Sequence, residues 1–263
     1  MQGSLSFSGA ADRVDSGSAA VLDNVNVLTY VAWMYPTSNA LTRPVIQKGG
    51  SAGKRLRLFG GTSAGSLQWV VAMSAVNGTA QSAASTFAAN VWSFVACTYD
   101  AAFNPKIFKG SLGGLVSEVT YSATPTQGTG SVATDAATSM LVGGDGVSTN
   151  FPGRIALPRI FNRVLNLKEI ADEMAKTAGD AMRPARGAVL SHVFTGRESS
   201  PRDFSGRGNT GTITGAVAAA GVPLLNPTRK LSPDWVNAYT YVPPVGGGPA
   251  VSGGFRSLLG VGR

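Results

Sequence analysis

The sequence predicts an all-β fold, an antiparallel jelly-roll sandwich with one short helix and an extended C-terminal tail. Three observations carry this. Only 14% of the 263 residues are charged while Gly, Ala, Ser, Thr and Val abound, which favours strands and turns over long surface helices. Apolar residues recur with period two in short runs bounded by Gly, Asn, Ser and Pro, with turns every dozen or so residues. Helical periodicity with matching end signals follows Asn166.

The elements follow in chain order. In residues 27–35, Val27, Thr29, Val31, Trp33 and Tyr35 fall on one face and Leu28, Tyr30, Ala32 and Met34 on the other. Both faces are largely apolar, so this strand is expected to be covered on both sides. Residues 67–73 and 92–99 read the same way. Ile107 and Phe108, the glycine-rich stretch 110–114 and residues 115–121 read as a hairpin. The helix is expected from Leu167 to about Thr177. Asn166 is its N-cap, Glu169 completes the spacing of a capping box, and Leu165 with Ile170 can form a hydrophobic staple. Leu167, Ile170, Ala171 and Met174 make an apolar stripe, and Gly179 suits the C′ position.

The run Phe151-Pro-Gly-Arg-Ile-Ala-Leu-Pro-Arg-Ile-Phe-Asn-Arg-Val-Leu-Asn-Leu-Lys-Glu-Ile170 resembles the closing strand and helix of laminin-G-like (concanavalin A-like) domains. Its family pattern is G-x-I-D-E-V-R-I-Y-N-R-A-L-S, and this chain has Ala156 and Leu157 where the family has the acidic pair. Five more segments resemble family segments in the right order: Leu5-Ser-Phe-Ser-Gly, Leu28-Thr-Tyr-Val-Ala-Trp, Val45-Ile-Gln-Lys-Gly, Trp92-Ser-Phe-Val-Ala and Leu141-Val-Gly-Gly-Asp. Together they cover roughly residues 5–175. The resemblance implies a laminin-G-like sandwich over residues 1–178. Residues 188–196 and 203–215 resemble the family's leader, which normally precedes the first strand. Here the leader follows the domain. Residues 179–226 are therefore expected to return as strands that complete a permuted sandwich.

Composition narrows the chemistry. Cys97 lies between apolar neighbours in a strand and reads as a buried small hydrophobe. His192 is the sole histidine, so neither a Ser-His-Asp arrangement nor a histidine-rich zinc site is expected. The glutamates are Glu118, Glu169, Glu173 and Glu198, and none belongs to the closely spaced pair that glycoside hydrolysis needs. Glu169 and Glu173 read as solvated helix positions. Absence of enzymatic activity and of a cofactor is expected. Calcium is the candidate metal, at Asp145 with Asn150, with Asp12 or Asp23 as further oxygen donors. Trp33, Trp69 and Trp92 sit in strands and are expected in the core. No phosphate cradle is expected at Gly143–Gly146, because no helix start follows it.

The net charge is +8, and residues 179–263 carry 9 Lys and Arg against 4 Asp and Glu. No dense basic cluster accompanies it, so an acidic protein surface is a better partner than nucleic acid. No apolar run reaches the ~18 residues of a membrane span, and no secretory signal precedes the first strand. Residues 227–263 are rich in Pro and Gly yet hold Trp235, Tyr239, Tyr241, Phe255, Leu258 and Leu259, with Arg256 and Arg263. This reads as a docking tail ordered by a partner. Lectin-like sandwiches are common phage appendages, as the resemblance implies. The leading expectation is therefore a non-enzymatic virion protein, a tailed-phage capsid decoration or head-associated protein. It would be made in the host cytoplasm, with the major capsid protein, other virion proteins or copies of itself as partners. The alternative is a lectin-like carbohydrate-binding module for host surface glycans.

Overall fold

A computed structural model describes residues 3–40, 42–49, 53–195 and 200–223. The chain begins with β1 (Gly3–Phe7), β2 (Arg13–Asp15), β3 (Leu28–Pro36), β4 (Arg43–Lys48) and β5 (Lys54–Phe59). It continues through β6 (Ser66–Val71), β7 (Gly78–Gln81), β8 (Ser93–Tyr99), β9 (Pro105–Ser111) and β10 (Ser117–Glu118). Then come β11 (Met140–Val142), β12 (Gly153–Phe161), α1 (Leu167–Met174) and α2 (Ala178–Ala181), followed by β13 (Ala188–Ser191), β14 (Thr212–Thr214) and β15 (Val217–Ala220). Among the described residues these strands form two antiparallel sheets. One runs β10-β9-β8-β3-β12-β1-β15 with β13 also paired to β12; the other runs β14-β2-β11-β4-β5-β6-β7.

β13, β14 and β15 belong to these same sheets. β13 pairs with β12, β14 with β2, and β15 with β1 through Gly3↔Ala220 to Ser6↔Val217. Ser4 adds a side-chain hydrogen bond to the Ala220 carbonyl at 2.9 Å.

The core lies between the sheets. Leu28, Tyr30, Ala32 and Met34 of β3 face Leu56, Leu58, Leu67 and Trp69 from the opposite sheet, all buried. Trp69 donates its indole N–H to the Thr98 carbonyl across the sandwich at 3.0 Å. This satisfies the polar atom of a fully buried ring. The other face of β3 carries Val31 and Trp33 into a second apolar cluster with Phe94, Phe161, Leu165 and Ile170. The first sheet is thus covered on both faces, as the alternating apolar pattern of β3 requires. Trp33, Trp69 and Trp92 are all buried.

β12 is interrupted. Its register with β3 shifts between Ala156 and Arg159, with Leu157 at a φ of 48°. Pro158 has no N–H to give to a ladder, and a bulge accommodates it. Its carbonyl instead accepts the His192 amide at 3.1 Å.

The capping box of α1 is present: Asn166 Oδ1 accepts the Glu169 amide and Glu169 Oε2 accepts the Asn166 amide, both at 2.9 Å. The helix departs from expectation in three ways. It ends at Met174, and Gly179 lies inside α2 instead of capping α1, because Thr177 forms a new N-cap with its own capping box to Asp180. Leu167 is 51% exposed and stands off the buried stripe. Glu173 is buried rather than solvated, because it pairs with Arg159 of β12 and with Lys176. The expected docking residues Trp235, Tyr239, Tyr241, Phe255, Arg256, Leu258, Leu259 and Arg263 lie outside the described residues.

Candidate functional site

The strand Lys54-Arg-Leu-Arg-Leu-Phe59 alternates, and the alternation decides which face meets water. Leu56 and Leu58 are fully buried in the core, so Arg55 and Arg57 project from the outer face of their sheet. Cross-strand register sets Gln47 beside Arg55 and places Pro44 and Gln68 on either side of Arg57. The Arg57 guanidinium donates to Gln68 Oε1 at 2.6 Å and lies 5.5 Å from the Phe59 ring centre.

The turn after β11 builds the opposing wall. Gly143, at a φ of 81°, donates to the Val45 carbonyl of β4 at 2.9 Å, and Phe151 closes the loop by donating to the Gly143 carbonyl at 2.7 Å. A Cβ on Gly143 would lie 2.2 Å from the Phe7 ring, so only glycine fits this approach. Phe151 is fully buried and anchors the turn. Within it, Asp145 Oδ1 accepts the amides of Val147, Ser148 and Thr149 at 2.8–2.9 Å, and Oδ2 accepts the Thr149 hydroxyl at 2.6 Å. Burial works to raise the Asp145 carboxyl, but these four donors outweigh it and hold it down at about 2.

Between the turn and the strands lies a groove of about 470 Å³. Its floor is Gln47, Arg55 and Arg57, with Thr42 and Pro44 at one side and Asp145, Val147 and Thr149 at the other. Val147 is 80% exposed at the rim. Burial pulls the guanidinium of Arg55 below its ordinary value, and the neighbouring charge of Arg57 adds to this; burial does the same to Arg57. The Nε atoms of both arginines are buried without a hydrogen-bond partner.

The residues expected to ligate calcium are each engaged by the protein itself. Asn150 is bridged through its backbone to Gly144, and its side-chain amide turns to the Phe151 carbonyl. Asp12 accepts the amides of Ser8 and Gly9 at 2.8 and 2.7 Å, while Asp23 pairs with Lys48 at 2.7 Å. Among the described residues no group of three or more His, Cys, Asp or Glu could hold a metal ion. His192 has a structural setting: it is fully buried and its Nε2–H donates to the Asn209 carbonyl at 3.0 Å. No helix among the described residues is long and apolar enough to cross a membrane.

The groove arginines escaped the sequence reading. Their signal was present in the alternation of residues 54–59. What the alternation could not show is the turn that faces them.

A profile of the Laminin_G_3 family, described as the concanavalin A-like lectin/glucanases superfamily, matches residues 8–171. No protein of curated function matches the sequence. Among solved structures, a candidate carbohydrate-binding protein from Bacteroides ovatus ATCC 8483 is similar at a TM-score of 0.55 and 16% identity. That alignment covers 84% of this chain and 60% of the other, so the chain spans well under the full length of that protein. A heptameric SAP-like pentraxin from Limulus polyphemus aligns at a TM-score of 0.47 and 11% identity, covering 65% of this chain and 80% of the pentraxin. The profile match spans well over half of the sequence, and the two packed antiparallel sheets agree with it: the chain belongs to the concanavalin A-like lectin/glucanases superfamily.

Proposed function

We propose that this protein is a non-catalytic, lectin-like carbohydrate-binding module that holds a glycan in the groove between β4, β5 and the 143–151 turn. The observation that carries this reading is the lining of the groove. It joins amide, hydroxyl and guanidinium groups from Gln47, Thr42, Thr149, Arg55 and Arg57 with the exposed apolar tip of Val147. Sugar hydroxyls take hydrogen bonds from such polar groups, and the C–H face of a sugar ring packs on an apolar tip. A volume of about 470 Å³ lies within the roughly 300–1,000 Å³ of small-molecule sites. The likeness to the Bacteroides ovatus protein agrees with this reading at the level of fold.

The placement of carboxylates supports the non-catalytic half. Glu118 bonds Tyr121 and Lys106, Glu169 pairs with Arg163, and Glu173 pairs with Arg159 and Lys176. None of them lines the groove, where Asp145 is already engaged by its own turn. Acid and base work on one glycosidic bond needs two carboxylates flanking it. The docking tail on which the virion expectation partly rests, residues 227–263, lies outside the described residues, and no observation on the described ones favours that expectation.

The test is calorimetric titration with a panel of oligosaccharides, alongside a hydrolysis assay on the same panel. Saturable binding without hydrolysis is expected, and Thr42→Trp, which fills the groove, should abolish the binding with the melting temperature preserved. Binding that persists in Thr42→Trp would move the site elsewhere. Release of reducing sugar would overturn the non-catalytic reading.

A further inference from the structure

We infer that the groove selects acidic glycans, those carrying an oxyanion substituent such as a uronate carboxylate or a sulfate ester, and that Arg55 and Arg57 recognise that substituent. This rests on the carbohydrate-binding reading above and names the ligand class of the same groove.

This chain gives its buried cations counter-charges. Lys48, Lys54 and Arg159 are buried, and each meets a carboxylate: Asp23, Asp135 and Glu173. Arg55 and Arg57 are half-buried and meet none among the described residues. Being two residues apart on one strand, their Cα atoms lie about 7 Å apart and their side chains share one face. Two like charges are thus held together under partial desolvation, with a buried Nε on each left without a partner. An arrangement of this kind is unfavourable until an anion fills it. A guanidinium fork matches the paired oxygens of a carboxylate or sulfate.

Asp145 does not serve as that anion. All four donors to it come from residues 147–149, so both of its oxygens are engaged within its own turn, and no ion pair joins it to Arg55 or Arg57 among the described residues. Arg57 is oriented by Gln68 and Phe59, which leaves its position fixed before a ligand arrives. The rest of the lining suits a sugar: neutral Thr42, Gln47 and Thr149, with Val147 at the rim. A nucleic-acid strand would need a longer track of cations following successive phosphates.

The experiment compares three oligosaccharides of matched length, one neutral, one uronate-bearing and one sulfated, by calorimetric titration of the full chain at two NaCl concentrations. At least one acidic ligand is expected to bind about tenfold or more tighter than the neutral one, with the advantage shrinking as salt rises. Arg55→Gln and Arg57→Gln should each remove most of that advantage, weakening the acidic ligand far more than the neutral one. The salt dependence of the unaltered protein gives the same information if either variant folds poorly. Preference shown by both acids or by one identifies the oxyanion and supports the inference. Equal binding of neutral and acidic ligands, insensitive to salt, would overturn it and leave the carbohydrate-binding reading standing. Failure of all three across the glycan panel would overturn both. Displacement of the acidic sugar by a short single-stranded oligonucleotide, with the same arginine dependence at lower concentration, would reassign the groove to nucleic acid.

Discussion

Glu173 of α1 lies beneath its helix against Arg159 of β12, their side chains 7% and 2% exposed, and Lys176 approaches the other carboxylate oxygen. Arg159 also stacks 5.2 Å from the centre of the Phe161 ring. The pair joins α1 to the strand that carries the bulge, so it fixes where the helix sits on the sheet.

Glu173→Gln should therefore lower unfolding stability by about 3 kcal/mol, because it leaves a buried guanidinium without its counter-charge. The paired replacement Arg159→Met with Glu173→Leu should recover most of that loss, since it removes both charges and fills similar volume. Urea unfolding of Arg159→Met, Glu173→Leu and the double variant measures the coupling. A double variant as unstable as the sum of the singles would show that Arg159 and Glu173 are not coupled.

Gly153 opens β12 with a φ of 152°, and a Cβ there would stand 2.1 Å from the Tyr35 carbonyl oxygen. Gly153→Ala must push apart the β12–β3 pairing, where Gly153 meets Pro36. A loss of about 2–4 kcal/mol is expected. Gly206→Ala is the comparison: its φ is 82°, but nothing lies within 4 Å of the new methyl group. It should cost about 1 kcal/mol, the backbone term alone. Thermal melts of the two variants separate collision from conformational strain.

Local rules made much of the fold readable before any coordinates. The two faces of β3 follow from period-two alternation, and both are buried as the apolar pattern requires. The Asn166–Glu169 box follows from a spacing of three. What stayed hidden depends on partners distant in sequence. Glu173 looks like a solvated position until β12 brings Arg159 beneath the helix. Gly179 looks like a helix end until Thr177 and Asp180 are weighed as a new start. The groove needs β5, read from its alternation, together with a turn that pairing through β11 and β4 delivers to its side. Asp145 stood out as an oxygen donor, and the amides that its own turn presents to it are set by backbone geometry rather than residue type.

His192 sets a pH dependence. Burial pulls its pKa below 6.5, against the opposing influence of the Asn209 carbonyl and Asp203, and Nδ1 has no hydrogen-bond partner. The folded state thus favours the neutral ring. With the folded pKa lower than the unfolded one, protonation favours unfolding. The melting temperature should be flat above pH 7 and fall as pH drops below about 6.5, before most carboxylates titrate. His192→Gln should lower stability overall but remove the slope between pH 6.5 and 5. A slope that survives the substitution would assign the titration to another group.

Asp145 decides whether the groove wall belongs to the protein alone or to a bound cation. Its carboxylate already accepts four hydrogen bonds from residues 147–149. Calcium takes six to eight oxygen ligands, and here it would have to displace those donors with few other carboxylates near by. Addition of calcium at about 5 mM should leave the melting temperature within about 1 °C, the outcome of a ligand with no preference for the folded state. Asp145→Ala should cost about 1–2 kcal/mol through the unpaired amides it leaves, and glycan affinity should drop further than stability does, because Val147 and Thr149 lose their fixed positions. The native carboxyl is held down at about 2 against an ordinary 3.8, so its contribution is present above pH 3.8 and is lost as pH falls toward 2. That window lies below the one governed by His192, and Asp145→Ala should reduce the slope of the lower window while leaving the upper one unchanged. If calcium instead raises the melting temperature by several degrees and Asp145→Ala abolishes the rise, the turn is a metal site and its hydrogen bonds rearrange on binding.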